Sequence, residues 1–392
     1  MVMEPSDICE ISTKYAELSS HDKDFLSYHS NYILYALAPF HYFFSTPQIV
    51  QGSIAFSYII LAYFVFLNFF KNKISIIMSL LLALTFILHP GWSHSIFGQP
   101  YVDKYYLLFG ILLCYFADRK NIPILITLWL LSMLINEKIM IINALFFSGL
   151  SIVYYFFEKE DKSYCFLLLM MGIVSFILFF MMTKIVLANI YYSSAIPGDI
   201  SSLINYLKVE RNLIGISSFF LINSLLLIPI FIKNKPIFFL MLLIMSPNIF
   251  GNIGGAEKTN FYTHYHSLYI PILFYFSSKY LAIIIGNSKR LTYLPFTICI
   301  VYLIFYSSLH FGADLKPELK NFSKNDNYYK KFINIFSTNK VSENFEELIK
   351  KEIPPNSKIS AVEDAFPYLY KYRNVYYYPI FMESADYVIT RY

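Results

Sequence analysis

The sequence predicts an all-α polytopic membrane protein that carries a small C-terminal α/β domain. The chain of 392 residues is 57% hydrophobic and 15% charged, a balance that soluble domains of this size do not show. Its apolar residues form repeated runs long enough to enter a bilayer. After Ser308 the composition becomes charged and mixed, which predicts a separate domain over residues 309–392.

The run from 122 to 157 shows how the membrane part is organised. It is almost entirely apolar except for one group, Asn136, Glu137 and Lys138. As one straight helix it would be about 54 Å long, at about 1.5 Å per residue, whereas the hydrocarbon core of a bilayer is about 30 Å thick. The sequence therefore predicts two spans joined by a tight turn, with Glu137 and Lys138 at the tip of the hairpin.

Ten spans are predicted in this way, and they make 53–308 a transmembrane domain. Residues 31–46 are apolar but short, which favours an interfacial or re-entrant helix within an extracytoplasmic loop over residues 1–52. If that segment crosses instead, the total becomes eleven. The ten predicted spans are 53–70, 74–89, 105–117, 122–136, 139–157, 165–188, 213–232, 236–249, 267–285 and 291–308.

The charges of the connectors predict the orientation. Every second connector is short and basic, and the intervening ones are mostly longer and carry half as many basic residues. This alternation follows the positive-inside rule, so the basic connectors are expected in the cytoplasm and the others, with residues 309–392, outside. The basic connectors contain Lys71, Lys73, Arg119, Lys120, Lys159, Lys162, Lys233, Lys235, Lys289 and Arg290, and the others contain Lys104, Lys138, Lys208, Arg211 and Lys258.

Other features of the composition exclude several classes of function. The formal charge of +5 is spread along the chain, which does not indicate a nucleic-acid surface. The four cysteines are scattered and form neither a disulfide framework nor a metal cluster. Lys184 and Lys279 lie inside spans near an end, and we expect both to snorkel to the interface.

The C-terminal region predicts alternating helices and strands. Residues 344–352 form an amphipathic pattern that ends at Pro354-Pro355. Strands are predicted at 358–362, 375–378 and 386–390, with a helix at 363–370.

Four segments, taken in order, resemble a bacterial family of predicted membrane proteins that is grouped with the GT-C superfamily of glycosyltransferases. They are HSNYILYALAPFHYFFSTP (29–47), INEKIMIINALFF (135–147), YTHYHSLYIPILF (262–274) and the tail at 353–389. That family opens with a transmembrane helix before a motif whose nearest counterpart here is residues 6–11. No such helix precedes those residues in this sequence, so we expect either a first helix upstream of Met1 or a crossing at 31–46.

The resemblance implies a GT-C-like fold in the bacterial inner membrane. It also implies transfer of a sugar from a polyprenyl-phosphate donor to an extracytoplasmic glycan, lipid or protein acceptor. A carboxylate in the first external loop would accept the acceptor's proton. Asp7 is the first candidate, with Asp22 and Asp24 as substitutes. Acids of a solvated loop are the alternative interpretation of all three.

Several external side chains are candidates for binding the phosphate of the donor. Cations and histidines suit that anion, although interfacial packing is the alternative for each, and Glu137 and Lys138 also have the option of pairing with each other. The predicted substrate-binding residues are His29, Glu137, Lys138, Arg211, His264 and His266.

No certain cofactor is predicted. His89 and His94 flank a Pro-Gly and, with Asp103, are candidates for a divalent metal ion, but their spacing matches no recognised motif. The glycines at 251–255 lack the strand-to-helix context and the lysine of a P-loop, so no nucleotide is expected.

Two other functions fit the same composition. One is a transporter or flippase of lipid-linked sugars, and the other is a non-catalytic membrane component of an envelope assembly complex. Transporters tend to carry charges deep within spans and inverted internal repeats. Here the charged residues lie near span ends and no repeat is visible, which favours the enzyme.

Overall fold

The computed structural model describes most of the apolar part of the chain and portions of the C-terminal region. The described residues are 32–43, 46–92, 101–186, 201, 204–205, 208, 210–250, 264–287, 293–311, 347–349, 351–361, 369, 372, 374–377 and 385–389.

The described residues are mostly helical, and a helix occurs at each of the ten predicted spans. The α-helices are α1 Ile33–Leu37, α2 Thr46–Lys71, α3 Ile76–Ile87, α4 Tyr106–Asp118, α5 Ile122–Met133, α6 Glu137–Val153, α7 Lys162–Met181, α8 Glu210–Lys233, α9 Lys235–Phe250, α10 Ile270–Asn287 and α11 Leu294–Phe311. Three 3-10 turns cover Ala38–Tyr42, Val102–Tyr105 and His264–Leu268. Two π-turns, Tyr154–Glu158 and Met182–Val186, extend α6 and α7.

Among the described residues, five helices are long and apolar enough to cross a membrane, and four further apolar helices are shorter. The long ones are Ile49–Lys71, Glu137–Glu158, Lys162–Lys184, Gly215–Lys233 and Ile270–Asn287. The shorter ones are Ile76–Ile87, Ile122–Met133, Lys235–Ile249 and Leu294–Tyr306. Large apolar side chains such as Phe166 and Phe180 of α7 face outward, which suits lipid as the surrounding solvent.

Short polar side chains fix where the helices begin. Ser75, Asn121 and Asp161 each accept a hydrogen bond from a backbone N–H in the first turn of α3, α5 and α7. These side chains satisfy donors that a helix start leaves unpaired. Each cap directly follows a basic connector, so the polar residues of the connector both end one helix and start the next.

Three lysines, rather than glycines, occupy left-handed backbone positions after helices. Lys73 has a φ of 62°, and Lys120 and Lys159 each have a φ of 53°. They follow α2, α4 and the π-turn after α6. Glycine is the usual residue where a helix ends in this conformation.

The helical bundle is centred on three helices that run in the same direction. α10 packs on both α4 and α8, and α6 packs on α5, α7 and α9. α4 and α10 approach closely at Gly110, where an added Cβ would lie 2.6 Å from Cγ of Pro271. Asp103 before α4 contacts Lys138 of α6, and Asp118 at the end of α4 contacts Tyr154 after α6 and Lys279 in the second half of α10. The N-terminal ends of α4, α6 and α10 therefore lie at one end of the bundle and their C-terminal ends at the other.

Four of the five basic connectors meet at one end of the bundle. This end contains the C-terminal ends of α4 and α6. The basic connectors, which alternate with the others along the sequence, therefore gather at one end of the bundle, which we call the basic end. The contacts that join these connectors are Lys71 Nζ to the Tyr115 hydroxyl at 2.9 Å, Arg119 over the Tyr115 ring at 4.4 Å, Lys120 with Glu160, and Asn234 Nδ2 to Glu158 Oε1 at 3.1 Å.

The C-terminal region forms a small parallel sheet. Strand β1 (Lys358–Ala361) lies between β2 (Asn374–Tyr377) and β3 (Tyr387–Ile389), and both pairings are parallel. These strands fall at the three positions predicted from the sequence. The core under the sheet is made by Ile349, Ile353, Ile359, Ala361 and Leu369.

The chain divides into two compact units. One contains residues 1–25, 40–50 and 313–392, and the other contains residues 26–39 and 51–312. The sequence prediction placed this boundary after residue 308, a few residues earlier. Neither α1 nor the 3-10 turn after it is long enough to cross a bilayer, at about 1.5–2 Å per residue.

Candidate functional site

The turn of the α5–α6 hairpin lies at the end of the bundle opposite the basic connectors. Asn136 caps α6 there, since its side-chain oxygen accepts a hydrogen bond from the Lys138 N–H at 2.7 Å. The amide nitrogen of the same side chain donates to Oδ1 of Asp103. One asparagine therefore starts α6 and ties it to the 3-10 turn that precedes α4. The start of α1 also lies here, because the N–H of Ile33 donates to the carbonyl of Leu134 at 2.7 Å.

Charged side chains gather around this turn. Oδ2 of Asp103 lies 3.4 Å from Nζ of Lys138, and the Lys138 ammonium also lies over the ring of Tyr265, 4.9 Å from its centre. Lys104 and Glu137 are buried beside them, with 1% and 0% of their surface exposed. We call Asp103, Lys104, Asn136, Glu137, Lys138 and Tyr265 the tip cluster.

Burial alters the chemistry of Lys104, which lies in the turn outside the spanning helices. Loss of hydration lowers the pKa of Lys104 to about 8, although the neighbouring Asp103 carboxylate opposes the shift. The amine and ammonium forms of this side chain therefore interconvert close to neutral pH. Ionisable groups buried together in this way are costly and are typical of functional sites.

A hydrogen-bonded chain of four buried side chains adjoins the tip cluster, and we call it the histidine relay. It runs from His89 through Asn223 and Tyr269 to His266, and all four residues are fully buried. His89 Nε2 lies 3.2 Å from Asn223 Oδ1, Asn223 Nδ2 lies 3.0 Å from the Tyr269 hydroxyl, and that hydroxyl lies 2.7 Å from His266 Nδ1. The relay reaches the tip cluster through the turn His264–Leu268, which contains Tyr265 and packs on the turn Val102–Tyr105.

The structure brings five of the predicted site residues to this end of the bundle. Glu137, Lys138 and Asp103 lie in the tip cluster, and His89 and His266 end the histidine relay. The others are not placed here. Asp7, Asp22, Asp24, His29 and His94 lie outside the described residues, and the side chains of Arg211 and His264 do also.

The pairing of Lys138 is a finding that spacing along the sequence did not predict. Glu137 and Lys138 were considered as partners for each other, and the ion pair formed by Lys138 is with Asp103, which lies in a different turn. Asp103 had been considered as a metal ligand. In the described part of the chain, no three His, Cys, Asp or Glu side chains form a group that could hold a metal ion.

A second polar group lies at the basic end of the bundle, and the sequence prediction missed its organisation. The Asp118 carboxylate accepts hydrogen bonds from the hydroxyls of Tyr154, at 3.1 Å, and Tyr275, at 2.6 Å, and pairs with Lys279. We call these four residues the Asp118 cluster. Lys279 was expected to snorkel to the interface, and it forms a specific ion pair that joins α10 to α4. The signal in the sequence was an acid at the end of one span and a lysine within another.

Comparison with known proteins identified no relative of the chain. No family model, no curated protein and no solved structure matches the chain.

Proposed function

We propose that this protein is a multi-pass enzyme of the bacterial inner membrane. It transfers a sugar from a polyprenyl-phosphate donor to a glycan, lipid or protein acceptor outside the cytoplasm. Three features support this proposal. They are the resemblance of four ordered segments to a GT-C-like family, the five helices of spanning length, and the tip cluster at the end away from the basic connectors. By the positive-inside rule that end is extracytoplasmic.

The observation that carries the proposal is the pair of lysines in the tip cluster, of which Lys104 is buried and Lys138 is half-buried. Lys104 and Lys138 come from different turns and lie beside one carboxylate, Asp103. The 3.4 Å separation between Lys138 and Asp103 is longer than the roughly 2.7–2.9 Å of a tight charge-assisted hydrogen bond. In the proposed mechanism the phosphate of the donor replaces Asp103 as the partner of Lys138.

The proton acceptor in this reaction is a carboxylate at the same end. As the acceptor hydroxyl forms a bond to the anomeric carbon, its proton passes to the carboxylate, and the bond from that carbon to the carrier's phosphate breaks. The resemblance assigns this role to Asp7, with Asp22 and Asp24 as substitutes. Within the tip cluster, Asp103 is freed for the same role once phosphate binds Lys138.

The test measures transfer and donor binding by the full chain in reconstituted membranes. The probe is a polyprenyl-phosphate hexose with a radiolabelled sugar, offered with extracted cell-envelope material as acceptor. We expect Lys138→Met to weaken donor binding at least tenfold, and Asp7→Asn or Asp103→Asn to abolish transfer without abolishing binding. Glu160→Gln at the basic end is the control. Full transfer by Lys138→Met would contradict the proposal.

A transporter of lipid-linked sugars is the second candidate, and one observation favours it. The parallel helices α4, α6 and α10 carry an ion pair at each end, Asp103–Lys138 and Asp118–Lys279. Ion pairs that break in turn at the two ends of one bundle would give access from either side. Uptake of labelled donor into proteoliposomes without any transfer to acceptor would favour the transporter over the enzyme.

A further inference from the structure

Two basic side chains from different helices converge on one tyrosine at the basic end of the bundle. Lys71 is the last residue of α2, and Arg119 directly follows α4. Nζ of Lys71 lies 4.6 Å from the centre of the Tyr115 ring and donates to its hydroxyl at 2.9 Å. Cζ of Arg119 lies 4.4 Å from the same centre, so the two cationic groups are at most about 9 Å apart. We call Lys71, Tyr115 and Arg119 the dibasic site.

The positive charge of the dibasic site is not neutralised by the described part of the chain. Lys71 and Arg119 are exposed, and neither forms an ion pair with a described residue. Asp118, which precedes Arg119 in the chain, pairs instead with Lys279. The C-terminal ends of α2 and α4 each offset about half a charge, and the Tyr115 ring attracts both cations without carrying a net charge. An excess of about one positive charge therefore remains.

A phosphate group matches the separation of the two cations. A phosphodiester that accepts a charge-assisted hydrogen bond on each of its two free oxygens spans about 8 Å between the donor nitrogens. The ammonium of Lys71 and the guanidinium of Arg119 supply these donors. The Tyr115 oxygen accepts from Lys71, so its own hydrogen is directed elsewhere and is a third donor for the same anion.

The surface beside the dibasic site suits the acyl chains of a lipid. Phe64, two turns before Lys71 on α2, packs against Tyr115 with 4.7 Å between the ring centres. Tyr63 and Phe70 of the same helix are 50% and 48% exposed. Residues seven and eight apart share one side of a helix, so an exposed apolar stripe leads from Lys71 toward the middle of α2. A phosphate that carries acyl chains fits this combination better than a soluble anion.

We propose that the dibasic site binds the phosphate of an anionic phospholipid of the cytoplasmic leaflet. The positive-inside rule assigns this end of the bundle to the cytoplasm, and basic pockets between helices on that side suit anionic head groups. The site selects a lipid whose head group lacks an ammonium, because a zwitterionic head group brings a third cation beside Lys71 and Arg119. Lipid binding here is independent of the proposed sugar transfer at the tip cluster.

The first test measures selectivity between two phospholipids with the same acyl chains. The full chain is held in detergent micelles, and native mass spectrometry measures the Kd of phosphatidylglycerol and of phosphatidylethanolamine. We expect the wild type to bind phosphatidylglycerol about tenfold more tightly. Lys71→Gln and Arg119→Gln should each raise the Kd of phosphatidylglycerol about fivefold, and the double variant should bind both lipids equally. Lys233→Gln is the matched control, because it removes an exposed charge from a different connector at the basic end.

The second test changes the tyrosine without changing any charge. Tyr115→Phe retains the ring that contacts Phe64 but removes the hydroxyl that holds Lys71. We expect the Kd of phosphatidylglycerol to rise about threefold, because one donor is lost and one cation is less well positioned. Binding of phosphatidylethanolamine should not change. An unaltered Kd for phosphatidylglycerol would overturn the role of Tyr115 in the site.

Three results would overturn the proposal as a whole. Unchanged selectivity in the double variant would show that Lys71 and Arg119 do not bind the lipid. Equal losses in Lys71→Gln, Arg119→Gln and Lys233→Gln would show a general attraction to the basic end and not a site. Glycerophosphoglycerol, the head group without acyl chains, serves as competitor. Competition as strong as that of the intact lipid would show that the ligand is a soluble phosphodiester.

Discussion

The two polar groups at opposite ends of α4, α6 and α10 hold their carboxylates in different ways, and Asp103 is buried whereas Asp118 is half-buried. Asp118 receives three donors, from Tyr154, Tyr275 and Lys279, which occupy both of its oxygens. Asp103 accepts a hydrogen bond from the Asn136 amide and has a longer contact with Lys138. The Asp118 cluster pairs one acid with one base, whereas the tip cluster contains two acids and two bases that are mostly buried.

This difference indicates that the two clusters have different roles. A carboxylate with three specific donors is well satisfied and is expected to hold helix ends together. A group of four charges with a loose ion pair can exchange partners at lower cost when an anion arrives. The Asp118 cluster is therefore expected to act on stability, and the tip cluster on ligand binding.

The largest effect on stability is expected from Asp118→Asn. The change leaves Lys279 without its counter-ion and replaces one of the two oxygens that accept from the Tyr154 and Tyr275 hydroxyls with an NH2 group, so we expect a loss of about 3 kcal/mol in the free energy of unfolding. Unfolding in mixed micelles measures this quantity. Asp161→Asn is the matched control, because Asp161 caps α7 and asparagine caps equally well. If Asp118→Asn were as stable as this control, the stabilising role of the cluster would be wrong.

A smaller effect is expected from the ion pair at the tip. Asp103→Asn and Lys138→Gln should each lower the free energy of unfolding, and the double variant should recover part of the loss, with a coupling of about 1–2 kcal/mol. Lys138→Gln should also weaken donor binding, which Asp118→Asn should leave intact once folded. Additive losses in the double-mutant cycle would show that Asp103 and Lys138 do not act as a pair.

The smallest effect concerns the pH dependence that Lys104 contributes. Its pKa is about 8 in the folded chain against 10.5 for an unperturbed lysine. Between these values the unfolded chain binds the proton and the folded chain does not, so stability rises with pH. From pH 8 to 9 the wild type should gain about 1 kcal/mol relative to Lys104→Met. Unfolding of both proteins across that range measures the difference, and parallel profiles would contradict the assignment.

The positions of the helices were largely predictable because the thickness of a bilayer limits the length of each apolar segment. The run from 122 to 157 had to turn, and the only charged residues in it are Glu137 and Lys138 near its middle. The structure ends α5 at Met133 and starts α6 at Glu137. Apolar length and connector charge are local properties, and they located the helices within a few residues.

The candidate site was predictable in its location and not in its partners. The sequence placed Lys138, Asp103 and His266 at one end of the bundle, but the contact of Lys138 with Asp103 spans 35 residues and depends on how α4 packs beside α6. Asn223 and Tyr269 read as ordinary residues at the edges of apolar runs. The available signal was Asn223, since an amide inside an otherwise apolar helix needs a partner in lipid.

The three lysines with left-handed backbones connect the energetics of the chain to the way it enters the membrane. Glycine at positions 73, 120 and 159 would adopt φ values of 53–62° without strain, whereas lysine is less stable there by roughly 1 kcal/mol. Each of these lysines follows a helix at the basic end, where the positive-inside rule predicts that its charge favours a cytoplasmic loop during insertion. Glycine variants at these sites would remove the conformational strain at the helix ends of the folded protein. The same variants would remove positive charges that favour one orientation of each hairpin during membrane insertion.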